Sequence, residues 1–278
     1  MSQIPEPAIR VRVDPTNPGQ FFACCGLLEL ADHLWDGADG WFNDGAFYLR
    51  PRNTNPSIVP TLGGLLCAIA GAALRQIDPN DDYSSPVEVP LPFEVRIDWW
   101  TDDRAGGDRL KVWAGRMSSV RIARAMQNVF HRPELQNDAL LDYGTVVYDP
   151  LEPDKKVVPF YFDARRGSSA QAIDIGFAPD SLQMTTAAYP AVEFLCLVGL
   201  QRFRPMPTAT RRVFEYHTWT LPLATHVAPS AVCGLLPQVE SRGFRFENAF
   251  RTDQRKHKAF TPATPLQGAN DERSLEEF

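Results

Sequence analysis

The sequence predicts an α+β protein. Its N-terminal half is expected to be ferredoxin-like, and a second mixed α/β half follows. Three observations carry this reading. The first hundred residues run strand, helix, strand, strand, helix, strand, which is the ferredoxin-like order. Strand signals return after Gly144. Two apolar helical segments, FFACCGLLELADHLW and YPAVEFLCLVGLQRF, fall one in each half; each has an internal Gly-Leu and is entered through a Pro-containing turn. The likeness is compatible with two related halves but is too slight to establish a duplication. The expected divisions are residues 1–103 (ferredoxin-like half), 104–143 (basic helical segment), 144–260 (second half) and 261–278 (loose C-terminal tail).

The elements follow in order. Ile9 to Val13 alternates with Arg10 and Arg12 and reads as a short strand near an edge, ended by the turn residues Asp14 to Gly19. Phe21 to Trp35 has apolar residues at helical spacing, with Gly26 inside it. Trp41-Phe42 and Ala46 to Leu49 flank Asn43-Asp44-Gly45, a hairpin signature. Ile58 to Ile77 is rich in small apolar residues and reads as a second helix, stopped by Asp78-Pro79. Val87 to Trp100 alternates as a strand, but Pro90 and Pro92 place it at an edge or a bend. In the second half, Thr145 to Tyr148, Val157 to Asp163, Val213 to Leu221 and Gly243 to Phe250 read as strands. Ala188 to Phe203 reads as a helix with Pro190 in its first turn.

Charge organises the functional reading. The net charge is −6, yet Arg109 to Arg132 contains Arg109, Lys111, Arg116, Arg121, Arg124 and Arg132 and no acid. Positive charge is gathered there rather than spread. Ser118 or Ser119 caps the helix that follows. Ile122, Ala125, Met126 and Val129 share one face of it, with Arg121 and Arg124 toward the other. A capped helix start beside guanidinium groups suits an anion such as phosphate, and Trp113 among the charges suits a stacked base. The competing reading is a surface helix whose arginines are solvated or ion-paired. Arg165 and Arg166, before Gly167-Ser168-Ser169, form a further candidate phosphate contact, as do Arg202, Arg204, Arg211 and Arg212. An acidic total argues against a free-standing nucleic-acid coater, but not against a subunit that touches nucleic acid through one face.

Catalytic and metal signatures are lacking. The five histidines show no zinc spacing, and no phosphate loop, dinucleotide fingerprint or nucleophile elbow is present. No cofactor is expected. Asp98, Asp102 and Asp103 form a loop cluster that reads as solvated. Cys24, Cys25, Cys67, Cys196 and Cys233 read as buried free thiols of a reducing cytoplasm. The N-terminus lacks the pattern of a secretory signal. The longest apolar run, Leu62 to Leu74, falls short of the ~20 residues that span a bilayer, so no membrane association is expected.

Four phrases, IRVRVDPTNPGQFFACCGLLELADHLW, LKVWAGRMSSVRIARAMQNVF, FYFDARRGSSAQAIDIGF and YPAVEFLCLVGLQRFRP, together resemble the short large-subunit-like proteins encoded with type I-U (also called I-G) CRISPR systems. The resemblance covers most of the chain through about Phe250. It implies a non-catalytic, cytoplasmic subunit of the Cascade surveillance complex. Such a subunit would act in antiviral defence with other Cascade subunits, CRISPR RNA and target double-stranded DNA. It would help read the protospacer-adjacent motif and present the opened DNA to a helicase-nuclease effector. Binding, not catalysis, is then assigned to the arginines, with Arg109, Lys111, Trp113, Ser118 and Ser119 as neighbours. The alternative is a ferredoxin-like endoribonuclease that processes CRISPR precursor RNA through His217, beside Tyr216, or His226.

Overall fold

A computed structural model describes residues 6–53, 59–81, 83–103, 107–115, 117–166, 187–251 and 256–266. The predicted α+β class is correct. Strand β1 (Ile9–Arg12) leads to helix α1 (Pro18–Trp35), then the hairpin β2 (Ala38–Asn43) and β3 (Ala46–Pro51). Asp44 and Gly45, with φ of 47° and 69°, make the two-residue turn that matches strand twist. β1 pairs antiparallel with β3, and β3 with β2, so the order β1-β3-β2 is that of a ferredoxin-like βαββ unit.

The next helix, α2 (Leu62–Gly71), is shorter than the sequence suggested. It leads into a separate three-stranded sheet of β4 (Arg75–Gln76), β5 (Val87–Val89) and β6 (Val95–Ile97). The alternating run of residues 87–100 is thus bent back on itself at Pro90 to Pro92, because proline cannot continue a ladder. The free edge of β2 is filled instead from the second half, by β11 (Leu223–Ala224).

Between them lie a short helix α3 (Gly107–Leu110) and helix α4 (Ser119–Asn128), then the hairpin β7 (Tyr148–Asp149) and β8 (Glu152–Lys156). The expected strand at 157–163 is irregular chain with no ladder of its own, with Tyr161 at φ 77°. It is held by the buried Glu193 carboxylate, which accepts the N–H groups of Tyr161, Phe162 and Asp163 at 2.9, 3.2 and 3.2 Å. Helix α5 (Pro190–Arg202) follows. Then come β9 (Met206–Pro207), β10 (Val213–His217), the short helix α6 (Ala228–Val232), β12 (Gly243–Phe250), β13 (Lys258–Phe260) and β14 (Thr264–Pro265). Their sheet has the order β13-β12-β10-β9, with β14 also on β12. Residues 261–266, expected to be loose, are therefore partly tied: Leu266 donates its N–H to the Gly243 carbonyl at 2.8 Å.

Helices α1 and α5 form the centre. Both are buried on every side except near their C-terminal ends, as expected of helices walled in by other elements. They cross at Gly26 and Gly199. A Cβ on Gly26 would run into the Leu195 carbonyl, and one on Gly199 into the Phe22 carbonyl. Phe21 joins the two sheets, its ring 5.1 Å from Phe42 and 4.4 Å from Tyr216. One continuous core runs from Ile9 to Ala263, across the divisions drawn from sequence. Among the described residues, no helix is long and apolar enough to cross a membrane.

Candidate nucleic-acid interface

The basic stretch does fold as predicted at its centre. Ser118 caps α4 and accepts the Arg121 N–H at 3.4 Å, and Ile122, Ala125, Met126 and Val129 are buried. The arginines, however, do not form an outward stripe. Arg121 Nε sits 2.5 Å from Asp149 and its Nη2 lies 3.5 Å from Glu152. Arg124 donates to the Leu74 carbonyl at 3.1 Å. Acids were absent from the stretch itself, but the β7–β8 hairpin supplies them. The helix start is also used: Ser119 is buried, donates its N–H to the Tyr83 carbonyl at 3.3 Å and its Oγ to the Ser85 carbonyl at 3.0 Å. Trp113 is 2% exposed and packs edge-on against Trp99 and Trp100, so no base can stack on it. Lys111 reaches inward to Ser84 at 2.5 Å.

The other predicted arginines divide in the same way. Arg165 pairs with Asp163 at 2.7 Å and Asp142 at 2.8 Å and stacks on Tyr189. Arg202 pairs with the buried Glu29 at 2.5 and 2.9 Å. Burial works against ionising Glu29, but hydrogen bonds from His33 and Arg202 hold its carboxyl below the ordinary range. Arg204 pairs with Asp102 at 3.2 Å. These groups serve the fold rather than a polyanion. Arg166 has a buried Nε with no hydrogen-bond partner. Arg116 and residues 167–169 lie outside the described residues. For the ion pair at α4 this gives an expectation. Arg121→Ala leaves Oδ2 of Asp149, a residue 4% exposed, without its partner and should lower unfolding stability by about 1–3 kcal/mol in urea titrations.

What the structure does bring together is a cleft of about 220 Å³ lined by Asp108, Arg109, Arg211, Arg212, Phe250, Lys256 and Lys258. Three separate segments build it. α3 contributes Arg109; the turn into β10 contributes Arg211 and Arg212; the approach to β13 and its first residue contribute Lys256 and Lys258. The turn is fixed by Arg212 itself, held at φ 64° with its guanidinium 4.4 Å above the Phe250 ring. Asn248, fully buried on β12, clamps α3 by donating to the carbonyls of Arg109 and Leu110 at 2.7 and 3.0 Å. Lys258 donates to the Asp108 carbonyl at 2.7 Å. Arg212 meets Glu247 only at 3.5 Å, and Arg109 and Arg211 are exposed with no carboxylate partner among the described residues.

No family model, no curated protein and no solved structure matches this chain.

The chemistry of the cleft is therefore read from its own residues. Burial pushes the Lys258 ammonium below its ordinary range. Asp108 opposes this, while Arg212, Lys111 and Arg211 push the same way. Five cations on one cleft with few carboxylates to offset them favour a bound anion, and the guanidinium forks suit phosphate oxygens. Sequence reasoning found Arg109, Arg211 and Arg212 but missed Lys256 and Lys258, which lie in an unremarkable polar run. Elsewhere, His217 is wedged between Gly234 and Gly243 with its Nδ1 buried and without a partner; His226 is exposed. Among the described residues, no group of His, Cys, Asp and Glu could hold a metal ion. Cys24, Cys25 and Cys196 are buried thiols, pushed up by that burial; Cys67 is exposed, contrary to expectation.

Proposed function

We propose that this chain is a non-catalytic subunit of an RNA-guided CRISPR surveillance complex of the Cascade type, gripping the phosphate backbone of guide RNA or target DNA. The cleft of Arg109, Arg211, Arg212, Lys256 and Lys258 is the gripping surface. The observation that carries this is the convergence of five cations on one cleft of a molecule whose total charge is −6. The resemblance to the type I-U/I-G subunits supplies the setting. Within such a complex, guide pairing reads sequence, while protein holds backbone and reads the adjacent motif before the helicase-nuclease arrives.

Salt dependence tests the assignment. The affinity of the chain for duplex DNA and for single-stranded RNA is measured by anisotropy across a salt series. Arg109→Ala with Arg211→Ala should flatten the slope of log K against log salt by about 0.9 per lost contact on duplex DNA, and about 0.7 on a single strand. Arg121→Ala should leave the slope as it is. An unchanged slope in the double variant removes the cleft from the proposal. Cleavage of repeat RNA that disappears in His217→Ala or His226→Ala would instead establish the endoribonuclease.

A further inference from the structure

A second cationic cavity lies away from the cleft. It is an open depression of about 470 Å³, lined by Asp39, Arg50, Arg52, His226 and the flanking residues of β3 and β11. Its position follows from register. Asp39 on β2 faces Arg50 on β3 directly, and on its other side faces Ala224 of β11. Ala224 is small, so space opens above the carboxylate. Arg50 lies on β3 and Arg52 just past its end, and both guanidiniums turn to the same Asp39 carboxylate. His226 follows β11 and closes the far wall. Both halves of the chain therefore contribute to this cavity.

The hydrogen bonding orients the cations. Asp39 is 6% exposed, and its Oδ2 takes both Nε and Nη2 of Arg50, at 2.9 and 2.7 Å. Its Oδ1 has Arg52 Nε at 3.5 Å. One carboxylate thus anchors two guanidiniums by their inner edges. Nη1 of Arg50 and both Nη groups of Arg52 have no partner among the described residues. Two arginines on one aspartate leave a positive charge uncompensated, at the mouth of a cavity that also has an imidazole. A purely structural pair would need only Arg50, which already satisfies Asp39 across the strand.

We infer that this cavity is a separate anion site that takes a phosphate group, present either as the free ion or on a small phosphomonoester. Arg52 and Arg50 offer N–H forks to its oxygens, Asp39 positions the forks, and His226, just past β11, lines the same cavity. The site is independent of the cleft and of the role proposed for it.

Calorimetric titration of the full chain with inorganic phosphate and with adenosine 5′-monophosphate tests the inference. At least one should bind saturably. Arg52→Ala should weaken that binding about tenfold or more, while Arg109→Ala with Arg211→Ala leaves it unchanged. Arg52 is 48% exposed in its side chain, so this variant should fold, and thermal melting checks that it does. Tighter binding of the nucleotide assigns a phosphoester; equal binding assigns phosphate alone. The inference is overturned if neither probe binds at millimolar concentration, or if Arg52→Ala binds as the unaltered chain does.

Discussion

Replacing Gly26 or Gly199 with alanine is expected to destabilise the fold by about 3 kcal/mol, the upper end for overpacking a close-packed interior. The cause is backbone against backbone. A methyl group on Gly26 meets the Leu195 carbonyl and the Gly199 N–H, and one on Gly199 meets the Phe22 carbonyl and the Gly26 N–H. No side chain can turn aside to relieve either contact, so α1 and α5 must separate. Separation would open the aromatic packing that Phe21 and Phe22 make with both sheets. The double variant should cost clearly less than the sum of the two single ones, because one displacement relieves both. Gly71→Ala is the control: nothing lies within 4 Å of a Cβ there, and alanine suits a helix end better by up to about 1 kcal/mol. Urea midpoints decide. If Gly26→Ala and Gly71→Ala unfold alike, the crossing is looser than described.

That crossing shows how much the sequence reveals and where it stops. Helical periodicity and an internal Gly-Leu were enough to locate α1 and α5, because a buried helix must be apolar and a close approach needs glycine. Asn43-Asp44-Gly45 was enough for the β2–β3 hairpin, because the turn demands positive φ at Asp44 and Gly45. The arginines were harder. A run without acids looks unpaired only to its neighbours in sequence. Asp149 reaches Arg121 from a two-stranded hairpin whose short, polar strands carry little periodic signal, and Glu29 reaches Arg202 from the other central helix. Ion pairing across such separations depends on the fold, not on local pattern. The cleft escaped for the same reason, since its five cations come from three segments far apart in the sequence. Asn248, which ties α3 to β12, gives no sign in the sequence that it is fully buried.

Stability should also fall as pH rises from about 4.5 to 7, and Glu193 is the expected cause. Its carboxyl is fully buried in α5, and that burial, with Asp163 beside it, pushes its pKa up to about 7; the N–H groups of Asp163, Phe162 and Tyr161 pull the other way and are outweighed. The charges around it are arranged in layers. Arg165 and the Asn17 amide satisfy Asp163, while Arg251 lies over the Tyr161 ring. The unfolded carboxyl titrates near 4.5, so between 4.5 and 7 the folded chain holds the extra proton. Unfolding then releases protons, and each rise in pH favours the unfolded chain. The contribution is intact below about pH 4.5 and lost above about 7, a change of about 3 kcal/mol. Glu193→Gln removes the titration but turns an amide NH2 toward backbone donors. It should therefore be less stable than the unaltered chain at pH 5, by about 1–3 kcal/mol, with a smaller deficit at pH 8. Urea titrations of both proteins from pH 5 to 8 measure this directly. Parallel stability curves for the two would mean that the Glu193 carboxyl is already ionised at pH 5, held by its three N–H donors.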